Sequence, residues 1–574
     1  MDEQKNILLA IVLSAVILIG WEVFFGSAFN PPPQPAATTS EQGMIPTPGT
    51  DGAAPITGLP GDAPPPALPG DVDATREALI SGDTRIKINT PHLHGSISLV
   101  GAIIDDITLI DYRQELDPES PEIELLEPKG AKNAYFAQYG WVGSGFTGPD
   151  DTTQWAADHD TLTPESPVTL TWDNGEGLTF TRKIAVDNDY MFTITQAVQN
   201  SGDAAVTANP YGLVARSGTP KLAGFYILHE GPLGVFNGTL EERDYEEVRD
   251  ERRQDFKTTG GWIGITDKYW LTALIPDQTI PVTARMTHNP TNGTDRYQVD
   301  FIGQALTIAP GAMQSVESRF FAGAKEVRLL DGYAEKLGIV NFDLAIDFGW
   351  FFYLTKPMFY ALKFIHDYVG NMGIAILVLT VAIKLVFFPL ANKSYRAMGK
   401  LKKLQPEMKK LQERFADDKQ RLNQEMMALY KKEGANPASG CLPIFVQIPV
   451  FFALYKVLYV NIEMRHAPFF GWVQDLSAPD PTTLFNLFGL IPWDPPSFLM
   501  IGVWPLIMGV TMFLQQKLNP APADPTQAKI MMALPFVFTF MLAPFPAGLV
   551  VYWFWNTVLS ILQQWVIMKR MGDR

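Results

Sequence analysis

Six apolar runs are the feature of this sequence that most restricts how the chain can fold. They cover residues 7–25, 371–390, 440–460, 498–516, 530–545 and 547–568. A helix needs about 20 largely apolar residues to cross a bilayer, and most of the runs approach that length. The run at 530–545 is the weakest, because it is short and contains Pro535 and Pro544. The sequence therefore predicts an α-helical membrane protein with six spans, five of them in a core bundle.

The charged residues predict which side of the membrane each connecting segment occupies. Lysine and arginine near the ends of membrane helices stay on the cytoplasmic side. Residues 391–439 hold 12 Lys/Arg against 6 Asp/Glu, whereas residues 27–349 hold 22 against 45. The net charge of −16 therefore belongs to the outer segment. We expect both termini to be cytoplasmic and the large domain to lie outside.

The N-terminal region combines an apolar run with a proline-rich segment. The small residues Gly26, Ser27 and Ala28 would suit a signal peptidase, but the run is long enough to span a membrane. We expect an uncleaved signal anchor at 1–26, followed by a Pro/Ala-rich linker at 27–71. Cys441 is the single cysteine of the chain, so the outer domain has no disulfide framework.

Apolar and polar residues alternate through much of 72–340. The segments TRIKINT (84–90), LTFTRKIAV (178–186) and RYQVDFIG (296–303) show this period of two, and turn signals such as Asp173-Asn174-Gly175 lie between such segments. The pattern predicts an antiparallel β-sandwich. The histidines of this region could supply an acid/base pair, so a sugar-active enzyme with a membrane anchor stays an alternative. Their spacing fits no recognisable metal site. They are His92, His94, His159, His229 and His288.

Two helical segments flank the second apolar run. Residues 341–369 place Lys356, Lys363 and Asp367 on one face, which predicts an amphipathic helix at the outer interface. The remaining predicted elements are a second span at 370–391, a cytoplasmic coiled-coil hairpin at 392–436, spans three to six at 437–568 and a short cytoplasmic tail at 569–574.

The predicted hairpin has an apolar seam and a basic surface. Leu401, Leu404, Met408 and Leu411 repeat at three-four spacing, as in a coiled coil. The surrounding lysines fit either a solvated connector or a contact with anionic lipid, ribosomal RNA or an acidic partner. The lysines that we expect to make such contacts are Lys400, Lys402, Lys403, Lys409 and Lys410.

Lys384 is the one charged residue of the run 371–390. A charge inside a bilayer is costly, so its surroundings must compensate it, and snorkelling to the inner headgroups is one solution. The predicted topology places other polar residues in the same cytoplasmic half of the bundle. We therefore expect a polar groove, open to the cytoplasm and closed to the outside, formed by Lys384, Thr380, Gln447, Gln515, Asn556 and Gln563.

Three long segments resemble the YidC/Oxa family of bacterial membrane protein insertases, in its Gram-negative form with a large periplasmic domain. They are DDKQRLNQEMMALYKKEGANPASGCLPIFVQIPVFFALY (417–455), RHAPFFGWVQDLSAPDP (465–481) and FPAGLVVYWFWNTVLSILQQ (545–564). The resemblance implies a multi-pass protein of the inner membrane with a periplasmic β-supersandwich. It also implies insertion and folding of nascent membrane proteins without catalysis, ATP or a cofactor.

The resemblance also implies partners and roles for particular residues. The implied partners are the Sec translocon with its accessory subunits, the ribosome or signal recognition components, and the phospholipid bilayer. Lys384 occupies the position of a groove cation that is commonly arginine in the family. Ile448 and Phe451 match substrate-slide positions, and Trp553 stands where the family commonly has tyrosine.

A secondary transporter or channel that uses Lys384 is the main alternative function. It requires a polar path on both sides of the membrane midplane and often a repeated half. The outer halves of the spans are apolar, and the sequence shows no repeat. The sequence therefore favours an insertase.

Overall fold

The computed structural model describes residues 75–222, 228–290, 293–349, 351–415, 418–434, 442–488, 491, 493, 495–496, 500–519 and 525–572. The predicted signal anchor, all of the predicted linker and Cys441 lie outside these residues. The described residues belong to one compact unit, Ile56–Arg574.

Twenty strands form the first part of the described chain, and α1 and α2 accompany them. The strands are β1 Arg85–Asn89, β2 Leu93–Ser98, β3 Ile103–Arg113, β4 Glu122–Leu126, β5 Tyr135–Ser144, β6 Ala156–Ala157, β7 Thr161–Leu162, β8 Val168–Asp173, β9 Leu178–Val186, β10 Met191–Asn200, β11 Val206–Ser217, β12 Gly231–Phe236, β13 Thr239–Glu242, β14 Arg253–Thr259, β15 Gly261–Thr266, β16 Trp270–Ile275, β17 Pro281–His288, β18 Arg296–Ile302, β19 Leu306–Ile308 and β20 Met313–Ala324.

These strands build two sheets, as the alternating pattern predicts. In the described residues the larger sheet has the order β14-β17-β18-β11-β5-β3-β2-β1-β7, with β19 beside β11 and β4 beside β3. The smaller sheet has the order β13-β12-β15-β16-β20-β10-β9-β8-β6. Neighbouring strands are antiparallel except β1 and β7, which are parallel. The predicted antiparallel β-sandwich is therefore confirmed.

The burial of individual strands explains which of them the sequence reveals. In β9, the even-numbered residues from Leu178 to Val186 are buried and the residues between them are not. Strands β12 and β15 are buried at every position, so they show no alternation. Large aromatic side chains such as Trp262, Phe192 and Phe320 fill the core. Burial of such apolar surface is the main stabilising contribution to a sandwich of this kind.

Eleven α-helices are present in the described residues. They are α1 Arg76–Ser81, α2 Tyr245–Glu251, α3 Val327–Leu337, α4 Phe352–Val369, α5 Met372–Val386, α6 Phe388–Arg414, α7 Lys419–Lys432, α8 Leu442–Val460, α9 Val503–Leu518, α10 Pro525–Leu542 and α11 Ala547–Gly572. Short 3₁₀ turns cover Phe342–Ala345, Ile462–Met464 and Leu484–Asn486.

The predicted second span, residues 370–391, is not one straight helix. The structure breaks it at Phe387, where α5 ends and α6 begins at an angle of 68°. Pro389 explains the break, because its nitrogen cannot donate to a backbone carbonyl and its ring clashes with the preceding turn. Helix α6 then continues without interruption into the predicted hairpin, so the predicted boundary at residue 392 falls inside a helix.

The length and hydropathy of each described helix show whether it could cross a membrane. Within the described ranges, no single helix is both long and apolar enough to span a bilayer, whereas α5 and α6 meet both conditions when taken together. The predicted count of six spans therefore stays a prediction.

The apolar residues predicted to form the seam of the hairpin are largely buried. Leu401, Leu404 and Met408 of α6 are buried against Met426 of α7. The hydroxyl of Tyr430 also lies 3.8 Å from the sulfur of Met408. The position of this helix pair on the cytoplasmic side stays a prediction.

Helix α4 has one apolar exposed face and one charged face. The side chains of Phe364 and Tyr368 are 71% and 90% exposed. About 100° around the helix, Lys363 forms ion pairs with Asp367 at 3.4 Å and with Glu463 at 2.8 Å. The pattern agrees with the predicted amphipathic helix, while its place at the outer interface stays a prediction.

Lysines also join the helical part to carboxylates that follow the β-sandwich. Lys356 of α4 donates to Asp331 at 2.9 Å and to Asp343 at 2.8 Å. The nearly buried Lys456 of α8 donates to Asp347 at 2.5 Å. Removing one partner of such a pair leaves an uncompensated charge, so these contacts hold the two parts together.

Lys325 is a buried cation directly after the last strand of the sandwich. Its ammonium donates to the hydroxyl of Thr266 at 2.8 Å. Burial lowers the pKa of Lys325 to about 8, and nearby carboxylates offset part of this effect. The carboxylates are those of Asp267, Asp347, Glu230 and Glu242.

We expect Lys325→Met to change how stability depends on pH. Between pH 8 and the ordinary lysine value of 10.5, the unfolded chain binds this proton more tightly than the folded chain. The wild type therefore gains stability relative to the variant as pH rises through this window, by about 3 kcal/mol at most. The pKa of Lys268 is also lowered by burial to about 8, but Lys268 is present in both proteins and cancels in the difference.

Thermal unfolding of the full chain in detergent, followed across this pH window, measures the effect. The control is Lys87→Met, at an exposed position of β1, which should keep the wild-type pH dependence. Identical pH profiles for the wild type and Lys325→Met would contradict the prediction.

Candidate functional site

A cavity between four helices contains Lys384, the one charged residue of the second apolar run. Its volume is about 40 Å³ for molecules the size of water, within a wider depression of about 430 Å³ that includes open solvent. Both arms of the bent pair α5 and α6 line it, together with α8 and α11. The lining residues are Ile383, Lys384, Phe387, Leu390, Ala391, Tyr395, Gln447, Val450 and Gln563.

Lys384 lies in the last turn of α5 and reaches across to α11. Its ammonium donates a hydrogen bond to the hydroxyl of Ser560 at 2.8 Å. Ser560 in turn donates to the backbone carbonyl of Asn556, also at 2.8 Å. No carboxylate among the described residues forms an ion pair with Lys384. The lysine is therefore a half-buried cation whose described partner is a neutral hydroxyl.

Two of the predicted groove glutamines line the same cavity as Lys384. Gln447 comes from α8, and its amide donates to the hydroxyl of Tyr552 at 3.0 Å. Gln563 comes from α11, one turn beyond Ser560. The structure thus brings Lys384, Gln447 and Gln563 together from three different helices.

The other three predicted groove residues do not line this cavity. Thr380 is buried, and its hydroxyl donates to the carbonyl of Ile376 in its own helix at 2.7 Å. Such a bond to the residue four positions earlier is common for threonine in helices. Asn556 offers its backbone carbonyl to Ser560, and Gln515 is half-buried on α9, which does not line the cavity.

The predicted slide residues come from α8 and α11, two of the helices that line the cavity. Ile448 of α8 is 44% exposed. Phe451 packs edge-on against Trp553 of α11, with 4.6 Å between the ring centres, and stacks with Tyr455 at 6.0 Å. The residues come from the same two helices that supply Gln447 and Gln563. The slide residues and the cavity lining therefore share helices α8 and α11.

Ser560 and Tyr395 are site residues that the sequence interpretation did not single out. Ser560 lies four residues after Asn556 and four before Gln564, so the three share one helical face. That spacing could have shown that Ser560 lies on the polar face of α11. Tyr395 had no signal, because it lies beyond the predicted span and reaches the cavity through the bend between α5 and α6.

The hairpin lysines and the histidines of the β-domain lie outside this cavity. The five lysines predicted to make contacts are all exposed on α6; they are Lys400, Lys402, Lys403, Lys409 and Lys410. The five histidines are scattered, and the nearest carboxylate is a different one for each of them. His94, for example, lies 2.6 Å from Glu122. No group of three potential ligands that could hold a metal occurs in the described residues.

A cysteine at position 563 should report the charge of Lys384. In a chain with Cys441→Ser, which removes the single native cysteine, Gln563→Cys should react several-fold faster with an anionic than with a cationic thiosulfonate reagent. The reason is that the half-buried ammonium concentrates anions in the cavity. Thr380→Cys is the buried control and should react with neither. An anion preference that persists in Lys384→Ala would contradict the prediction.

Two family models together match almost all of the described chain. The model described as the YidC periplasmic domain matches residues 85–361, which contain the sandwich. The model described as the 60Kd inner membrane protein matches residues 364–574, which contain α5 to α11.

Curated proteins are similar over the full length. Membrane protein insertase YidC of Sinorhizobium medicae is 52% identical, and the proteins of that name from Nitrobacter hamburgensis and Beijerinckia indica are 51% and 50% identical. Each alignment covers 100% of this chain and 96% of the relative. A crystal structure of an active YidC insertase with its first transmembrane domain resolved is 16% identical, covering 84% of this chain and 92% of that one with a TM-score of 0.34.

The matches confirm the resemblance seen in the three sequence segments. They also agree with a β-sandwich placed before a helical C-terminal part. The chain belongs to the YidC family of membrane protein insertases, which are not enzymes.

Proposed function

We propose that this chain inserts nascent membrane proteins into the bacterial inner membrane through the cavity that contains Lys384. The family relationship supports the activity. The observation that carries the proposed site is the hydrogen bond from Lys384 to Ser560 in a cavity shared with Gln447 and Gln563. Together these groups offer an incoming polar segment a positive charge and two amides.

The electrostatics of the cavity favour an acidic segment. A carboxylate that enters a bilayer alone loses its hydration, at a cost of about 2.5–3.5 kcal/mol on insertion scales. An ammonium at contact distance in a partly water-filled site offsets part of that cost. Lys384 therefore lowers the barrier for acidic residues more than for neutral polar residues.

The apolar surface of the slide residues suits the other half of such a substrate. Ile448 is open to the surroundings, while Phe451 and Trp553 form a supported aromatic patch. A nascent transmembrane helix has a polar flank and an apolar body. We propose that the flank enters the cavity while the body lies along this surface.

A transport path through the bundle has weaker support. Such a path requires polar groups on both sides of Lys384. On the outer side of Lys384 along α5, Ala375, Ile376 and Leu379 are buried in the apolar core. The cavity is therefore better suited to partial entry of a segment than to passage of an ion.

Replacing the lysine should affect substrates according to their charge. We expect Lys384→Gln to reduce insertion of a single-span test protein with an acidic N-terminal tail by about tenfold, since a bond to a charged group is lost. Insertion of the same protein with Asp changed to Asn should change little. Reconstituted vesicles and protease protection of the inserted tail provide the measurement.

A matched variant controls for the loss of a positive charge. Lys517 is an exposed lysine at the end of α9, and Lys517→Gln should leave insertion of both test proteins unchanged. Equal loss with the acidic and the neutral tail in Lys384→Gln would speak against an electrostatic role for the cavity.

We further propose that the exposed lysines of α6 bind an anionic partner on the cytoplasmic side, with ribosomes as the partner to be tested. Changing Lys402, Lys403, Lys409 and Lys410 to Glu should weaken sedimentation of the purified protein with ribosomes, most strongly at low salt. The control reverses two exposed lysines of the β-domain, Lys87 and Lys183. Binding that is equally strong in both variants would exclude this contact surface.

A further inference from the structure

We propose that Ser560 is a positioning residue for Lys384, which holds the ammonium toward the cavity so that its remaining protons face an incoming carboxylate. The inference rests on the proposed function of the cavity and adds a residue to it. Ser560 is 5% exposed on α11, and Lys384 reaches it from α5.

The hydrogen bonds fix the direction of this contact. A serine hydroxyl has one proton to donate, and Ser560 donates it to the carbonyl of Asn556 at 2.8 Å. Toward Lys384 the Ser560 oxygen can only accept. An ammonium can only donate, so the two groups are complementary at their distance of 2.8 Å.

The contact uses only one of the three hydrogen-bond donors of the ammonium. Lys384 has three N–H groups, and Ser560 accepts one of them. No second acceptor for Lys384 occurs in the described part of the chain. Two N–H groups therefore have no acceptor among the described residues, and Lys384 shares the cavity lining with Gln447 and Gln563.

Without Ser560 the lysine side chain can turn away from the cavity and carry its ammonium toward the surroundings. Leu385 and Val386, the next two residues of α5, are 66% and 73% exposed, so the surroundings are accessible beside Lys384. A flexible lysine chain near a helix end extends toward the headgroups when nothing holds it. The bond to the buried Ser560 opposes this movement.

Tyr395 is a second neighbour of this cavity. It is 8% exposed and lines the cavity from α6, the other arm of the bend. Its aromatic ring therefore closes the cavity wall opposite α5 and restricts the space into which the lysine chain can move.

The test combines three substitutions with the acidic and the neutral test proteins in vesicles that contain the full chain. Ser560→Ala should reduce insertion of the acidic protein by about fivefold, the equivalent of one ordinary hydrogen bond, and leave the neutral protein unchanged. Ser560→Thr keeps the hydroxyl and should retain most of the activity. In a Lys384→Ala background, Ser560→Ala should cause no further loss.

Thr557→Val is the matched control. Thr557 lies one turn earlier on α11, is equally buried, and donates only to the carbonyl of Trp553 in its own helix. The valine variant should insert both test proteins as the wild type does. Thermal unfolding of each variant in detergent shows whether a loss reflects misfolding. If Ser560→Ala is unstable, Ser560→Cys replaces it, because a thiol is only a weak acceptor.

Each contrary outcome has a separate meaning. If Lys384→Ala reduces insertion of the acidic protein but Ser560→Ala does not, Ser560 has no positioning role. If Ser560→Ala reduces both test proteins equally and does so without Lys384, its role is only structural. If Lys384→Ala itself has no effect, the role proposed for the cavity fails, and Ser560 has no charge to position.

Discussion

The break between α5 and α6 is the constraint on which the cavity depends. Pro389 prevents a continuous helix, so the chain turns by 68° at Phe387, directly after the turn that contains Lys384. The two arms then form two walls of one space, with Lys384 on one arm and Tyr395 on the other. In a straight helix these residues would lie about 16 Å apart along the axis, at 1.5 Å per residue. The bend brings both to the lining of one cavity.

The partners of the lysines in the helical part divide them into two classes. Lys356 and Lys456 bind carboxylates, so each charge is neutralised in place by a partner of the same chain. Those pairs connect the helices to the segments that follow the sandwich. Lys384 binds a hydroxyl, which compensates part of the desolvation without removing the charge. The same residue type therefore supports assembly at one end and leaves a charge available in the cavity.

The sequence predicted much of this architecture, and its failures have physical causes. Alternation revealed β1, β9 and β18, but strands buried at every position, such as β12 and β15, have no alternation to detect. The continuous apolar character of 371–390 concealed the break at Phe387, because hydropathy does not register a missing backbone donor. Topology reasoning was enough to bring Lys384, Gln447 and Gln563 into one group.

The sequence did not show which buried hydroxyl group takes part in the site. Thr380 and Ser560 both donate to a carbonyl of their own helix, which satisfies the proton and makes the residue compatible with an apolar bundle. The difference is whether a second donor reaches the oxygen, as Lys384 does for Ser560. That depends on how two helices far apart in sequence pack. For the proposed function, a neutral acceptor of this kind suits a transient binding site, because an incoming carboxylate would meet the full charge of Lys384 and have no resident anion to displace. A resident carboxylate would stabilise the empty cavity more, and would compete with the substrate for the lysine at every cycle.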